Sequence, residues 1–491
     1  MMIPQRFSSR SVLVVGLGKT GLSVCRALKA AGATLWIADT SEARIQEIMT
    51  RDVSDGGNIL SACHVFSEKN PAHWAHITDV VVSPGVPWRW PAPVSVVAEA
   101  RRRGIPLWTD MDLFAVALGY HFPNPELRPK LIGVTGTNGK STTSALMGHV
   151  MNRLGLTCQV GGNIGTSVLD LEPDGDVYVL ELSSYQLELS RSLFLDYGVL
   201  LNIGPDHLER HGGMEGYIAA KRLIFEGMTQ GGLGVLSVDD AYAAALYPEL
   251  DRCYEDRLIP ISVLTSLDGG RFVMPQGDVF FATFGKMEKI GSLQDITTLV
   301  GKHNWQNMLA VVVVAKDLLD RAGRSDAYAE IFRAMADFPG LAHRQESVGW
   351  WQNVQFVNDS KATNAEAAAK ALLAFDNIFW IAGGRPKADG IQSLAPLFHN
   401  IKHAFLIGEA AQDFADVLAR AGVPYTVCHH LEKAVVEALT HAQQKGKGTV
   451  LLSPACASFD QFDSFEQRGD QFRSLVQVRC QGNLSPQRDC I

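Results

Sequence analysis

Short, continuously apolar runs alternate with stretches of helical periodicity along almost the whole chain. The runs Val12–Val15, Thr34–Ala38, Val80–Ser83, Leu131–Thr135, Tyr178–Glu181 and Val199–Ile203 have the length and β-branched content of buried strands. They lack a polar alternation because helices on both faces of a parallel sheet leave neither face to water. Helical patterns such as Leu22–Ala31 supply the crossovers, so the chain reads as βα units. Two longer helical patterns, His303–Leu319 and Asp326–Ala336, precede a restart of the alternation at Val354–Val357, Ile378–Ala382, Ala404–Ile407 and Thr449–Leu452. Proline-rich His121–Pro129 and the segment Asp337–Leu341 interrupt the pattern and mark two boundaries. The prediction is an α/β protein of three domains, at residues 1–120, 128–338 and 340–491. Residues Arg252–Lys289 read as turn-rich with short local β structure, and the tail after Gln477 as polar.

Composition narrows the class. The 491 residues match three domains of about 150, and 46% apolar with 20% charged residues is ordinary for a globular chain. With 44 basic and 52 acidic residues the net charge is −8, so no overall positive field holds a nucleic acid or an anionic membrane, and neither is expected as a partner. Eight cysteines without a CxxC pair suit a reducing compartment. The apolar run Leu309–Ala315 is far short of the roughly 18 residues a membrane span needs, and Val12–Val15 is too short for a secretory signal. A cytoplasmic protein is expected.

The first glycine-rich turn, Gly16-Leu-Gly-Lys-Thr-Gly21, follows one strand and opens a helix. Glycines there allow a tight turn, and the helix N-terminus offers unpaired N–H groups to a diphosphate. Asp39, ending the next strand, stands where a carboxylate can accept from a ribose. The motif alone does not separate NAD from another diphosphate nucleotide, so an NAD-linked oxidoreductase stands as an alternative.

The second turn carries more information. Leu131-Ile-Gly-Val-Thr-Gly-Thr-Asn-Gly-Lys-Ser-Thr142 runs strand, glycine-rich loop, Lys-Ser, helix. Its loop N–H groups can cradle phosphates, Lys140 brings a charge to the β and γ phosphates, and Ser141 can ligate Mg²⁺. Val134 stands where a strict P-loop has its first glycine, leaving the shorter core Gly136-x-x-Gly139-Lys140-Ser141.

A triphosphate implies a hard cation with oxygen ligands. Glu181 and Asp206-His207 sit at two strand ends of the same domain and are the candidates. Lys221 has Tyr217 and Phe225 at i±4 and no acidic partner, so on sequence alone it reads as a surface lysine. In the third domain Asn358–Asn364, Gly383–Lys387 and Ser453–Phe462 each follow a strand, where α/β sheets line their ligand crevice. Cys456 lies in the last of these without an evident base and reads as a small buried residue.

These segments together resemble the Mur ligases of peptidoglycan synthesis, over nearly the whole chain. The resemblance rests on Gly136–Thr142, Gly161-Gly-Asn-Ile-Gly165, Glu181-Leu-Ser-Ser-Tyr-Gln-Leu-Glu188, His303-Asn-x-x-Asn307, His343-Arg344 and Asn358-Asp-Ser-Lys-Ala-Thr-Asn364. Ser453-Pro-Ala-Cys-Ala-Ser458 with Asp460-Gln-Phe462, and Phe465-Glu-Gln-Arg-Gly469, mark the D-glutamate-adding branch. The implied fold is a Rossmann-like N-terminal domain, a central P-loop ATPase-like domain and a Rossmann-like C-terminal domain.

The resemblance implies an ATP-dependent ligase that joins D-glutamate to UDP-N-acetylmuramoyl-L-alanine through an acyl phosphate, acting as a monomer. A variant adding L-glutamate is the alternative within the family. By the same resemblance Gly18, Lys19, Thr20, Asp39, Thr40, Ser83 and Gly85 hold the uridine diphosphate, with Asn163, Ser183 and Tyr217 at the muramoyl part. Thr137, Asn138, Gly139, Lys140, Ser141, Thr142, Asn307, Arg344 and Asp359 bind ATP. Ser141, Glu181, His207 and Lys221 hold Mg²⁺, with Lys221 carbamylated at Nζ. Lys361, Thr363, Lys387, Ser458 and Phe465 receive glutamate, and the catalytic set is Lys140, His207, Lys221 and Lys361.

Overall fold

The apolar run near the start becomes the strand Ser11–Val15, whose last four residues are buried, and it is the centre of a five-stranded parallel sheet. Across that sheet the order is His64–Val65, Thr34–Ala38, Ser11–Val15, Asp79–Val82, Leu107–Trp108. Each crossover places a helix on a face, which is why the strands are apolar on both sides. The structure, a computed structural model, describes residues 1–54, 63–163, 165–283, 285–296, 298–299, 301–325, 327–386, 390–480 and 484–485.

The chain folds into two compact units, one of Met1–Ile296 with Lys302–Phe338 and the other of Thr297–Gly301 with Pro339–Ile491. The first unit holds the five-stranded sheet and a nine-stranded one. In the larger sheet Lys130–Thr135 lies between Leu195–Leu200 and Val177–Glu181, with Cys158–Gly162 at one edge. The strands of the phosphate loop and of Glu181 are therefore neighbours, with Val134 opposite Glu181 in register.

On the other side the sheet continues through Met228–Ser237, Leu258–Ser262, Gly270–Val273, Asp278–Thr283 and Lys286–Ser292, the last two antiparallel additions. The segment read as turn-rich, Arg252–Lys289, thus extends the main sheet; its strands are short and partly polar, which blurs their period in sequence. The helix Lys302–Arg321 packs on Lys140–Arg153 and buries Met308–Ala315 without a break.

The second unit is a six-stranded sheet in the order Glu346–Trp351, Val354–Asn358, Gly448–Leu452, Ile378–Gly383, Ile401–Ile407, Tyr425–His429, with only the first strand antiparallel. Asn358 and Leu452 are paired, so the loops that follow them leave the same sheet edge side by side. The helix Phe465–Arg479 runs two residues into the region read as tail, and Ser485 pairs with Trp350. Among the described residues no helix is long and apolar enough to cross a membrane.

Candidate active site

The phosphate loop is built by glycine geometry and then clamped. Gly136 and Gly139 have φ of +156° and +85°, and Gly139 caps the helix Lys140–Arg153. A Cβ at Gly139 would overlap the Oδ1 of Asn307, so glycine is required both by φ and by the close approach of that side chain. Asn307 is buried in the helix Lys302–Arg321, where its Nδ2 donates to Asn304 Oδ1 at 3.0 Å. The structure therefore brings Asn307 to the loop across more than 160 residues of sequence.

Asn202, not singled out from sequence, holds the loop from beneath. Its Oδ1 accepts from Asn138 N at 2.8 Å, and its Nδ2 donates to Asn138 O at 3.1 Å and to Gln306 Oε1 at 3.0 Å. The signal was present, since Asn202 is the one polar residue inside the apolar run Val199–Ile203. Thr137 Oγ1 accepts from Gly204 N at 2.9 Å and lies 3.1 Å from Tyr217 Oη.

Lys140 curls over its own loop, its Nζ donating to Gly136 O and Thr137 O, both at 2.8 Å. Lys221 is not on the surface: it is 1% exposed, and its Nζ also donates to Gly136 O, at 2.8 Å. This corrects the surface reading, and the reason is tertiary. The helix Met214–Glu226 lays its buried face, with Tyr217, Ala220, Ile224 and Phe225, against the sheet, and Lys221 shares that face. Burial, reinforced by the Lys140 charge, pushes the Lys221 ammonium well below the usual lysine range, with Asp206 opposing weakly.

Glu181 is 2% exposed. Its Oε1 accepts from Asn163 Nδ2 at 3.0 Å, while Oε2 is buried with no hydrogen-bond partner. A buried carboxylate oxygen without a donor is the kind of acceptor a hard cation satisfies, so Glu181 fits Mg²⁺. Ser141 is buried at the start of the loop helix. His207 has φ of +51° and a half-exposed ring 3.5 Å from Asp206 Oδ2, and its ring centroid is 5.2 Å from that of Tyr185. Among the described residues no three His, Cys, Asp or Glu side chains converge as a complete metal cage.

In the N-terminal sheet Asp39 braces the glycine turn, accepting from Leu17 N at 2.7 Å and Ser41 N at 3.2 Å. Ser83 Oγ donates to Gly16 O at 2.7 Å, joining two neighbouring strand ends. Gly18, Lys19, Thr40 and Gly85 are exposed there, with Thr20 half-buried, and Lys19 donates to Gly165 O near Asn163. Arg210, also unforeseen, donates to Gly85 O at 3.0 Å and Val86 O at 3.2 Å while its guanidinium lies 4.7 Å over Tyr185. It stands three residues after His207, so one short turn reaches both the Ser83–Gly85 turn and Tyr185. Ser183 caps the helix Ser184–Leu189 in a capping box with Gln186.

In the second unit the loops after Asn358 and Leu452 are interlocked. Asp359 Oδ2 accepts from Ser453 Oγ at 2.7 Å and Oδ1 from Gln345 N at 3.1 Å, and burial pushes its carboxyl up to about 7. Arg344 is half-buried, and its charge opposes that rise. The Lys361 ammonium sits 3.8 Å over the Phe465 ring. Thr363 N donates to Lys361 O at 2.8 Å, and Ser458 is 2% exposed at the head of the second loop. Lys387 lies outside the described residues. Cys456 is fully buried, in keeping with a small packed residue.

Family models match along the chain: the Mur ligase MurD-like N-terminal domain at residues 10–108, the Mur ligase middle domain at 134–315 and the Mur ligase glutamate ligase domain at 343–456. The chain is 43% identical to the UDP-N-acetylmuramoylalanine–D-glutamate ligase of Caulobacter sp. strain K31, covering 97% of this chain and 98% of the relative. It is 44% identical to the protein of the same name from Paramagnetospirillum magneticum, with 97% and 98% covered. Among solved structures, the UDP-N-acetylmuramate–alanine ligase MurC of Thermotoga maritima has a TM-score of 0.55 at 17% identity, covering 96% of this chain and 99% of that one. The MurF ligase of Thermotoga maritima in complex with ADP has a TM-score of 0.53 at 16% identity, with 98% of each covered. These two likenesses concern the fold.

Proposed function

This chain belongs to the Mur ligase family, and from that membership we propose that it joins D-glutamate to UDP-N-acetylmuramoyl-L-alanine with consumption of ATP, in cytoplasmic peptidoglycan precursor synthesis. The γ-phosphoryl of ATP passes to the alanyl carboxylate with ADP as the leaving group, the amine of glutamate attacks the acyl phosphate, and inorganic phosphate and the amine's proton leave as the amide forms. The observation that carries the nucleotide part is the convergence of Lys140 and Lys221 on the carbonyl of Gly136, in a loop gripped by Asn202 and abutted by Asn307.

Thr137, Asn138, Gly139, Lys140, Ser141, Thr142 and Asn307 receive ATP, with Arg344 and Asp359 assigned to it by the family pattern. The Lys140 ammonium offsets charge on the transferring phosphoryl group, whose transition state spreads negative charge over its oxygens. Glu181, His207, Lys221 and Ser141 would hold Mg²⁺, which when bound neutralises phosphate charge. Lys221 suits this only in altered form. Its neutral amine attacks the carbon of CO₂ and loses one N–H proton to solvent, giving an anionic carbamate where an ammonium would repel the ion.

The Gly16–Gly21 turn with Lys19, Asp39, Thr40, Ser83 and Gly85 takes the uridine diphosphate, and Asn163, Ser183 and Tyr217 the muramoyl part. Lys361, Thr363, Lys387, Ser458 and Phe465 take glutamate. The experiment is phosphate release with Mg²⁺-ATP and UDP-N-acetylmuramoyl-L-alanine, comparing D-glutamate, L-glutamate and other amino acids. Release with D-glutamate supports the reading; release with L-glutamate alone moves it to the variant branch.

A further inference from the structure

Arg468 has no exposed surface, yet it is a guanidinium, one of the costliest groups to bury. It sits one turn into the helix Phe465–Arg479, on the same face as Phe465. Its donors fan out over two loops. Nε donates to Ser360 Oγ at 2.9 Å and one Nη to Ser360 O at 2.8 Å and Cys456 O at 3.2 Å, while the other Nη donates to Ala457 O at 3.3 Å. Ser360 Oγ in turn donates to Phe465 O at 2.8 Å, so the helix start, the loop after Asn358 and the loop after Leu452 are closed into one hydrogen-bonded ring.

Each of those four hydrogen bonds ends on a neutral oxygen. Among the described residues no carboxylate pairs with it directly, and Asp460 acts on it only at a distance, so a largely uncompensated positive charge stands inside the unit; burial lowers its pKa to about 10, which still keeps it protonated at neutral pH. Two of the three residues it grips adjoin a group assigned above to glutamate. Ser360 precedes Lys361, Ala457 precedes Ser458, and Phe465, whose ring lies under the Lys361 ammonium, opens the helix of Arg468. A planar fork with five donors can span two loops in this way, and a lysine cannot.

We propose that Arg468 is the positioning residue of the amino-acid subsite: it fixes Lys361, Ser458 and Phe465 relative to one another and supplies the standing positive charge that favours a dicarboxylate amino acid. This rests on the glutamate assignment made above. It is separate from ATP and precursor use, so its signature is selective.

The test compares Arg468→Lys, Arg468→Met and Ser360→Ala in the full-length chain, with KM measured separately for D-glutamate, ATP and UDP-N-acetylmuramoyl-L-alanine. Acyl phosphate formed without glutamate is trapped with hydroxylamine. Arg468→Lys keeps the charge and loses the fork, so the D-glutamate KM should rise at least tenfold; Arg468→Met should raise it further. Ser360→Ala, which cuts the ring but leaves the arginine, should raise it severalfold, and trapping should persist in all three. Should Arg468→Met fail to fold, Ser360→Ala and Arg468→Lys still decide. An unchanged D-glutamate KM in a folded variant, or an equal rise for all three substrates, overturns the proposal. Loss of activity in the unaltered chain would instead strike the functional reading on which it rests.

Discussion

The ammonium groups of Lys140 and Lys221 share one acceptor, each lying 2.8 Å from the carbonyl oxygen of Gly136. Two like charges around a single oxygen repel, and the more deeply buried of the two, Lys221, is the one driven toward the neutral amine. On the reading proposed above, this amine takes up CO₂. Replacing Lys221 by Ala should lower kcat at least a hundredfold while the protein stays folded, and stripping CO₂ from the buffer should lower the activity of the unaltered chain. Carbonyl-¹³C NMR with labelled bicarbonate reads the carbamate directly; full activity of the Ala variant would contradict this role.

Glu181→Gln removes the negative charge but keeps the shape of a side chain whose Oε2 has no partner. If that oxygen serves a cation, the variant's dependence on Mg²⁺ should shift to at least tenfold higher concentration, with little loss of melting temperature. An unmoved Mg²⁺ profile would return Glu181 to a purely structural role.

Gly139→Ala places a Cβ at φ +85°, against Asn307 Oδ1. Left-handed backbone costs a non-glycine residue about 1–2 kcal/mol, and the displaced asparagine adds to that. The ATP KM should rise more than tenfold, and Asn307→Ala in the same background should recover part of the loss. Parallel loss in both single variants without any recovery would mean that the two residues act separately.

Asp110 provides a pH handle remote from the loop. It is fully enclosed, its Oδ1 has no partner, and burial pushes its carboxyl up to about 6 despite the hydrogen bond from Gln186 Nε2 at 3.3 Å. Since the folded pKa exceeds the unfolded one, the native state holds the proton longer, and stability falls as pH rises from about 4 to about 6. The full cost, on the order of 2–3 kcal/mol, persists above that. The stability advantage of Asp110→Asn over the unaltered chain in urea melts should therefore grow between pH 4 and pH 6 and stay level above that. A difference that stays constant from pH 4 to pH 7 would exclude a buried carboxylate as its source.

What was legible in the sequence was local. The strand–loop–helix around Gly136–Ser141, the glycine turn at Gly16–Gly21 and the parallel strands could be read because each is written in consecutive residues. Lys221 could not, because its helical neighbours Tyr217 and Phe225 say only that the face is apolar, and burial against Gly136 is a tertiary event. Asn202, Arg210 and the role of Arg468, a residue quoted only as part of Phe465–Gly469, escaped for the same reason: their partners lie 64, about 125 and up to 108 residues away. The strands between Leu258 and Ser292 were blurred by short length and exposed polar positions at the sheet's far edge.

The most direct measurement is phosphate release from Mg²⁺-ATP by the full-length chain with UDP-N-acetylmuramoyl-L-alanine, with and without D-glutamate. Sustained release is expected only when both are present, one phosphate for each amide formed, and none with L-glutamate. No glutamate-dependent release from folded protein, at any Mg²⁺ or CO₂ concentration, would contradict the proposed function.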